Sequence, residues 1–511
     1  MGHLTKSAII VAVLMVLSKG LGLLREILLA GYFGTTYIVD AYSVACILPS
    51  VLFTLFASGF SNSYIPVLAR IKNEKEKLFF FSNTTCILTA FSIVVSVLCF
   101  VFADLITKLI APGFKSEAAI LTEAFIKIIV FHLPFFTVFN IFCAQSAADE
   151  DFNFSNFCNL IVVNLIIIIS IYFAYQNSTL WLAYGYVFSM IFATVMLGCY
   201  LYKRGKIIHF LFYPGDKNFL VLAKMAIPIG VSFLANQINA VADKIFSSTL
   251  GVGVTSALGY ANRLQLLPYT LVVSVFVSIC NPKMNRAFAV KDIDTALFYA
   301  NKALMIAIYI TFPIVLLLFF NAMPITMVLF QRGQFNSDST IMTANCLKYY
   351  SLGMLFYAIR QIAANVLTAN LKQQLILKNT ITAVVTNVIL NFLFIRFMGY
   401  TGLALSTSVA GCVAALLMLK DLKFMHLSLF NLEQVGDLIK IFGASITSIV
   451  LAKFTYCSFI LLGFNYKITF FISVFIFTIV FIVLSVVFNV NIVIWLYHHI
   501  PNRFRLINKW N

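Results

Sequence analysis

The sequence predicts an all-α polytopic membrane protein of about fourteen transmembrane helices, in two pseudo-symmetric six-helix lobes followed by two further helices. Three observations lead there. Of the 511 residues, 61% are hydrophobic, 53 are Phe and only 10% are charged, which is more apolar surface than a soluble core can hide. Apolar runs of about 20 residues, the length of a bilayer-spanning helix, recur from end to end, and the short alternating segments of a β-barrel are absent. Finally, the chain repeats itself at an interval of about 220 residues.

Hydropathy places the spans near 7–33, 40–69, 79–110, 119–147, 153–175, 179–202, 219–250, 254–282, 296–321, 340–370, 375–397, 401–420, 436–462 and 468–496. The apolar run over 9–17 has the length of a signal-peptide core. Lys19 and Arg25 follow it at once with no small-residue cleavage site, so it reads as an uncleaved first span.

Basic residues cluster in particular loops: Arg70, Lys72, Lys75 and Lys77; Lys203, Arg204 and Lys206; Lys283, Arg286 and Lys291; Lys420 and Lys423; and the tail Arg503, Arg505 and Lys509. With fourteen spans, all fall on one side. The alternate loops at 34–39, 176–179 and 251–254 are nearly uncharged. Positive loops stay inside, so both termini are expected in the cytoplasm. The net charge of +17 is accounted for by this asymmetry and implies no nucleic-acid partner. The acidic run Asp149-Glu150-Asp151 falls on the same side, where acidic residues carry little weight.

The repeat is read from four matches. "FKSEAAILT" at 114–122 matches "FNSDSTIMT" at 335–343, and Asn164 matches Asn387. Leu48-Pro49 matches Leu267-Pro268, and Pro66 and Arg70 match Pro282 and Arg286. A repeat of about six helices keeps its orientation, so the relating axis runs along the membrane normal and the substrate path lies between the lobes. The expected domains are an N-terminal lobe over 1–205, a C-terminal lobe over 206–425, and two extra helices with a basic tail over 426–511.

Enzyme chemistry finds no footing. The ten Cys are scattered singly, none of the six His forms an HExxH or HxxxH pair, and GxSxG and GxxxxGK[ST] are absent. Gly251-Val252-Gly253 is an inter-helix turn, too short a signal for a phosphate loop.

What stands out instead is six cations inside apolar stretches: Lys19, Arg25, Lys224, Lys244, Arg263 and Arg360. A charge at the bilayer centre costs a few kcal/mol and survives where it faces water or binds an anion. Converging cations in a many-helix protein point to a transporter for an anionic, membrane-borne substrate. The first span, "LSKGLGLLREILLAGYFG", sets Gly20 and Gly22 between Lys19 and Arg25. Lys meets phosphate as a point charge, whereas Arg forks two donors onto it. Arg25 also has Glu26 beside it as a partner. Arg263, two turns into its span with no acid within a turn, is the strongest cavity cation. For Arg360 and Lys348 a structural and a substrate role are equally open, and Lys127 pairs with Glu123 one turn before it.

Asp40 opens the second span, either capping that helix or meeting the cationic centre when the cavity closes outward. Asp243 neutralises the adjacent Lys244, or else joins Asn387, Asn391 and Thr407 around a monovalent cation. Asn387 and Asn391 are four apart and share a helix face, and such pairs also hydrogen-bond helices together.

These residues carry a family resemblance. "SKGLGLLREILLAGYFG" with the following Asp40-Ala41, "LIAPGF" ending at Phe114, "YANRLQLLP" (260–268) and "LFQRGQF" (329–335) together resemble the MurJ/MviN lipid II flippases of the multidrug/oligosaccharidyl-lipid/polysaccharide exporter superfamily. The resemblance spans nearly the whole chain. It implies fourteen helices, two in an extra C-terminal pair that holds the lipid tail in a groove. It implies transport of undecaprenyl-diphosphate-linked disaccharide-pentapeptide to the outer leaflet of the bacterial cytoplasmic membrane by alternating access. It assigns Lys19, Arg25 and Arg263 to the cavity and Asp40 to the outer gate, with Arg360 a further candidate. It brings sodium as the ion for Asp243, Asn387, Asn391 and Thr407.

The chain departs from the family at two places. Lys19 stands where arginine is usual. The second span reads "LPSVLFTLFASGF" where the family has a form like "LPNLLRRLFAEGAF", so Phe53 and Thr54 replace an arginine pair and Ser58 a glutamate. The alternatives are a flippase for another polyprenyl-linked glycan, such as a capsule or O-antigen unit, and a cation-coupled multidrug antiporter, which would want an acidic cavity. A monomer and contacts with the cell-wall synthesis machinery are the expected assembly.

Overall fold

The computed structural model describes residues 2–53, 59–270, 274–429 and 432–493. Thr54 and Ser58 of the divergent second span, and the tail cations Arg503, Arg505 and Lys509, lie outside them. The described residues are helical with no strand. The helices run α1 Gly2–Phe33, α2 Tyr37–Ala45, α3 Ile47–Phe53, α4 Gly59–Leu68, α5 Glu74–Val101, α6 Ala103–Ile110, α7 Ser116–Ile129, α8 His132–Ala148, α9 Asn153–Phe157, α10 Val163–Gln176 and α11 Trp181–Lys203. They continue as α12 Lys217–Ser248, α13 Val254–Pro268, α14 Ser274–Ala289, α15 Ile293–Phe320, α16 Ala322–Phe330, α17 Ser337–Ala369, α18 Gln373–Met398, α19 Tyr400–Phe424, α20 Leu432–Leu461 and α21 Tyr466–Val487.

Each of the fourteen predicted segments contains helix, but several are broken where one rod was expected. The second becomes α2, α3 and α4. The fourth bends by 40° between α7 and α8. The fifth contains a π-helical turn at Cys158–Val162 between α9 and α10, packed against α1. Among the described residues, nine helices are long and apolar enough to cross a membrane, ten with the bent pair. The segments at 7–33, 40–69, 219–250 and 254–282 are not among them.

By packing, the chain divides into two units. One holds the described residues of Met1–Gly259 with Phe330–Ser339, and the other those of Tyr260–Leu329 and from Thr340 onward. This division follows contacts, whereas the expected lobes follow the sequence repeat.

In the first unit, Tyr64, Phe80, Phe81, Phe142 and Leu197 form a buried cluster between α4, α5, α8 and α11. Two of the three acids of the acidic run are paired there. Arg204 pairs with Asp151 at 2.9 Å and Lys206 with Asp149 at 3.2 Å. Gln145 joins Asp149 to the buried Tyr64 hydroxyl, which donates to Gln145 at 2.8 Å.

In the second unit, Leu304, Ile308, Val366, Leu367 and Met418 pack α15, α17 and α19 together. Helix α21 is apolar on all sides, yet Phe471, Phe475 and Val483 are exposed, as expected of a surface that faces lipid.

Candidate functional site

The first unit contains a helix-end junction assembled from the loops that follow α1, α6, α12 and α16. Asp40, in the first turn of α2, is buried at 1% exposure. Its Oδ2 accepts the Gly253 N–H at 2.5 Å and its Oδ1 the Ser256 N–H at 2.7 Å. The expectation that Asp40 caps its own helix is therefore corrected. The N-cap of α2 is Thr36, whose side chain makes no capping bond, and the Asp40 carboxylate instead caps the opening of α13. The free N–H groups of a helix start and its positive dipole end both favour a carboxylate.

Glycines let the loops come that close. Gly253 has φ +87, and a Cβ there would stand 2.5 Å from the Thr35 carbonyl oxygen. In "LIAPGF", a Cβ on Gly113 would lie 2.4 Å from Thr249 Cα, and the Gly113 N–H donates to Ser248 Oγ at 3.3 Å. In "LFQRGQF", a Cβ on Gly333 would lie 2.2 Å from the Gly31 oxygen, which accepts the Gln334 N–H at 2.9 Å. Thr35 Oγ1 meets Ser339 Oγ at 2.7 Å. The two matched segments of the sequence repeat thus make matching contacts. The loop before α7 lies on the end of α12, and the loop before α17 lies on the end of α1.

The cations of α1 differ from one another. Lys19 is exposed. Arg25 is half-buried and donates from Nε at 3.2 Å and Nη2 at 3.1 Å to Oε1 of Glu26, which is 4% exposed. The pairing that the sequence left open is present, and it engages only part of the guanidinium fork. Between the two cations, a Cβ on Gly20 or Gly22 would meet nothing within 4 Å. These glycines serve no close approach in this conformation. What they supply is weak helix propensity, about 1 kcal/mol each relative to Ala. In α12, Lys224 is exposed and Lys244 half-buried beside Asp243.

The other expected cations lie in the second unit. Arg263 is exposed on α13, opposite Ala261 and Gln265, which are both fully buried. Arg360, on α17, is half-buried and reaches Thr380 Oγ1 at 3.5 Å. Lys348 lies over the Phe319 ring, 5.0 Å from its centroid. In the first unit, Lys127 pairs with Glu123 at 2.6 Å, which makes it structural.

Of the four cation-site candidates, three come together. Asn391 donates to Asn387 Oδ1 at 3.0 Å, Asn387 donates to Thr407 Oγ1 at 3.2 Å, and Ser406 donates to Asn391. Both asparagines are fully buried, so this network joins α18 to α19. Asp243 belongs to the other unit.

Three features escaped the sequence reading. The partners of Asp40 were not foreseen, although the turn Gly251-Val252-Gly253 marked the place. The packing of Gly113 and Gly333 was hidden in motifs that served only for comparison. The third is Gln265. It is fully buried, and neither its Nε2 nor its Oε1 has a hydrogen-bond partner among the described residues.

A polytopic helical fold with intramembrane cations and a capped helix junction defines a membrane transporter. The multidrug exporters share the architecture. An inward-facing MATE family transporter of the MOP superfamily superposes with a TM-score of 0.67 over 81% of this chain and 95% of that one, at 15% identity, a likeness of fold alone. A solved structure titled "Lipid II flippase MurJ, inward closed conformation" matches with a TM-score of 0.83 at 25% identity, covering 95% of this chain and all of that one.

Curated relatives agree. "Probable lipid II flippase MurJ" of Buchnera aphidicola subsp. Acyrthosiphon pisum is 28% identical over 82% of this chain and 84% of its own length. "Lipid II flippase MurJ" of Thermosipho africanus is 27% identical over 89% of this chain and 94% of its own length. The family model described as "Lipid II flippase MurJ" matches residues 29–482, and the chain belongs to that family. It is a multi-pass bacterial membrane protein and a transporter, not an enzyme.

Proposed function

We propose that this chain flips lipid II, the undecaprenyl-diphosphate-linked peptidoglycan precursor, from the cytoplasmic to the outer leaflet by alternating access. The observation that carries the reading is the family match over residues 29–482, which includes Arg263, Arg360 and Asp40. In this reading Lys19, Arg25, Arg263 and Arg360 bind the diphosphate. Arg25 holds back part of its fork for it, and the loss of the second-span arginines puts more weight on these four.

The basic loops favour cytoplasmic termini, and in that orientation the Asp40 junction faces outward. Closure there excludes the outer aqueous phase while the head group enters from the cytoplasmic leaflet. Outward opening must break the two bonds from Asp40 to α13, and bonds to a charged group contribute about 1.5–3 kcal/mol each. Binding that favours the open state must offset this cost, since a ligand shifts an equilibrium only by its differential affinity. Sodium belongs to the proposal as a coupling ion. Asn387, Asn391 and Thr407 would supply neutral oxygens and Asp243 the charge. The protein works as a monomer alongside the cell-wall synthesis machinery.

The test is complementation of a conditional lipid II flippase mutant by the parent and by Arg263→Ala, with membrane expression checked. Rescue by the parent alone supports the reading. Failure of a well-expressed parent overturns lipid II as the substrate.

A further inference from the structure

A cavity of about 340 Å³ opens in the second unit, away from every cation assigned to transport. It is bounded by the start of α15, the turn before α20 and the chain just past α21. Asp294, Lys302 and Asp437 supply its charged groups, and Asn301, Gln434 and Asn491 its amides. It is many times the roughly 30 Å³ that one water occupies in the liquid and falls in the size range of small-ligand sites.

Its acceptors are under-satisfied. Asp437 is 5% exposed. Its two contacts, the Asn491 N–H at 3.4 Å and Lys440 Nζ at 3.7 Å, both fall on Oδ1. Oδ2 has no hydrogen-bond partner among the described residues. Asn301 Oδ1 is buried and also lacks one. Asp294 stands exposed at the rim. A buried acceptor left without a donor costs about 1–3 kcal/mol, and more when it is charged. Lys302, also in the lining, rests its ammonium over the Phe298 ring, 5.5 Å from the centroid.

We propose that this cavity binds a primary ammonium group carried next to an anion, the head-group chemistry of an aminophospholipid. A primary ammonium brings three N–H donors, which match Asp437 Oδ2, Asn301 Oδ1 and Asp294. The neighbouring phosphate meets Lys302. A divalent metal suits the place less well, because no group of three or more His, Cys, Asp or Glu side chains fit to hold one exists among the described residues. The cavity lies at the ends of spanning helices, where lipid head groups are found.

The experiment is native mass spectrometry of the purified full chain with phosphatidylethanolamine, phosphatidylcholine and phosphatidylglycerol, on the parent, Asp437→Asn and Asp294→Asn. Phosphatidylcholine keeps the phosphate but has no N–H donor. The parent should retain phosphatidylethanolamine about fivefold or more over phosphatidylcholine, and both variants should lose the preference. Asp294 is exposed, so its variant remains informative if Asp437→Asn fails to fold. A parallel melting series with free ethanolamine separates the sources. Protection that Asp294→Asn removes supports a soluble amine at the same site. Equal retention of the two lipids without ethanolamine protection overturns the proposal, as does a preference that survives in Asp294→Asn.

Discussion

Asp40 accepts the backbone N–H of Ser256, 216 residues further along the chain, at 2.7 Å. A carboxylate that opens one helix thereby closes the start of another. Asp40→Ala removes both acceptors and leaves the Gly253 and Ser256 N–H groups exposed or unsatisfied. The loss is expected to be about 2–4 kcal/mol of junction stability. Asp40→Asn keeps one good acceptor and should lie between the parent and Ala. Reconstituted flipping and melting temperature check this order. Equal behaviour of Ala and parent would remove Asp40 from the gate.

The glycines at the junction give a sharper test because their neighbours are backbone atoms. Gly113→Ala would set a methyl 2.4 Å from Thr249 Cα, and Gly333→Ala one 2.2 Å from the Gly31 oxygen. Neither neighbour can swing aside, so each variant should lose about 1–3 kcal/mol and flip lipid poorly. Gly436→Ala, inside α20 where a Cβ meets nothing within 4 Å, is the control and should transport like the parent and melt no lower, its helix propensity being raised. Similar losses in Gly113→Ala and Gly333→Ala are expected, because the two sites are copies of one contact.

Gly20 and Gly22 should behave in the opposite way. Alanine fits at both and raises helix propensity by about 1 kcal/mol each. The double variant is expected to melt higher and to transport more slowly, if bending of α1 between Lys19 and Arg25 is part of the cycle. Unchanged flipping in a stabilised double variant would show that α1 moves as a rigid rod.

Arg25→Ala alone confounds two effects. It removes a phosphate ligand, and it strands Glu26, which is 4% exposed, as a buried charge without this partner. Breaking such a pair costs about 3–5 kcal/mol when it is well buried, and less here because Arg25 is 29% exposed. Adding Glu26→Gln should recover the melting temperature and leave flipping low. Recovery of both would make Arg25 a structural residue only.

Much of this architecture is legible in the sequence because lipid leaves few options. Backbone groups must bond internally, so each long apolar run becomes helix, and all fourteen segments do. The intramembrane cations are equally visible, being costly in lipid. The Arg25–Glu26 pair could be read from adjacency. The Asp40 junction could not. A carboxylate at a helix start has a satisfactory partner in its own helix, and nothing local reveals that the N–H groups it takes lie 216 residues away. The break at Phe102, where the chain changes helix with no proline or glycine nearby, was invisible for the same reason, whereas the one after Ala45 has a local cause in Pro49, which has no N–H for the Ala45 carbonyl.

Gln265 carries the last prediction. Its side chain is fully buried, and both amide atoms lack a partner among the described residues, two residues from the exposed Arg263. A buried amide with neither end bonded costs a few kcal/mol, and a transporter can carry that cost if the amide is bonded or wetted in its other state. Gln265→Leu keeps similar volume and removes the penalty, so it should raise the melting temperature of this conformation. The same change removes the penalty from one side of the equilibrium only, so flipping should slow by about tenfold for each 1.4 kcal/mol of bias, once the other state becomes limiting. Measuring both in one preparation decides the matter. A higher melting temperature with unchanged flipping would mean that Gln265 is equally buried and unbonded throughout the cycle, and that its amide has no part in the exchange between states.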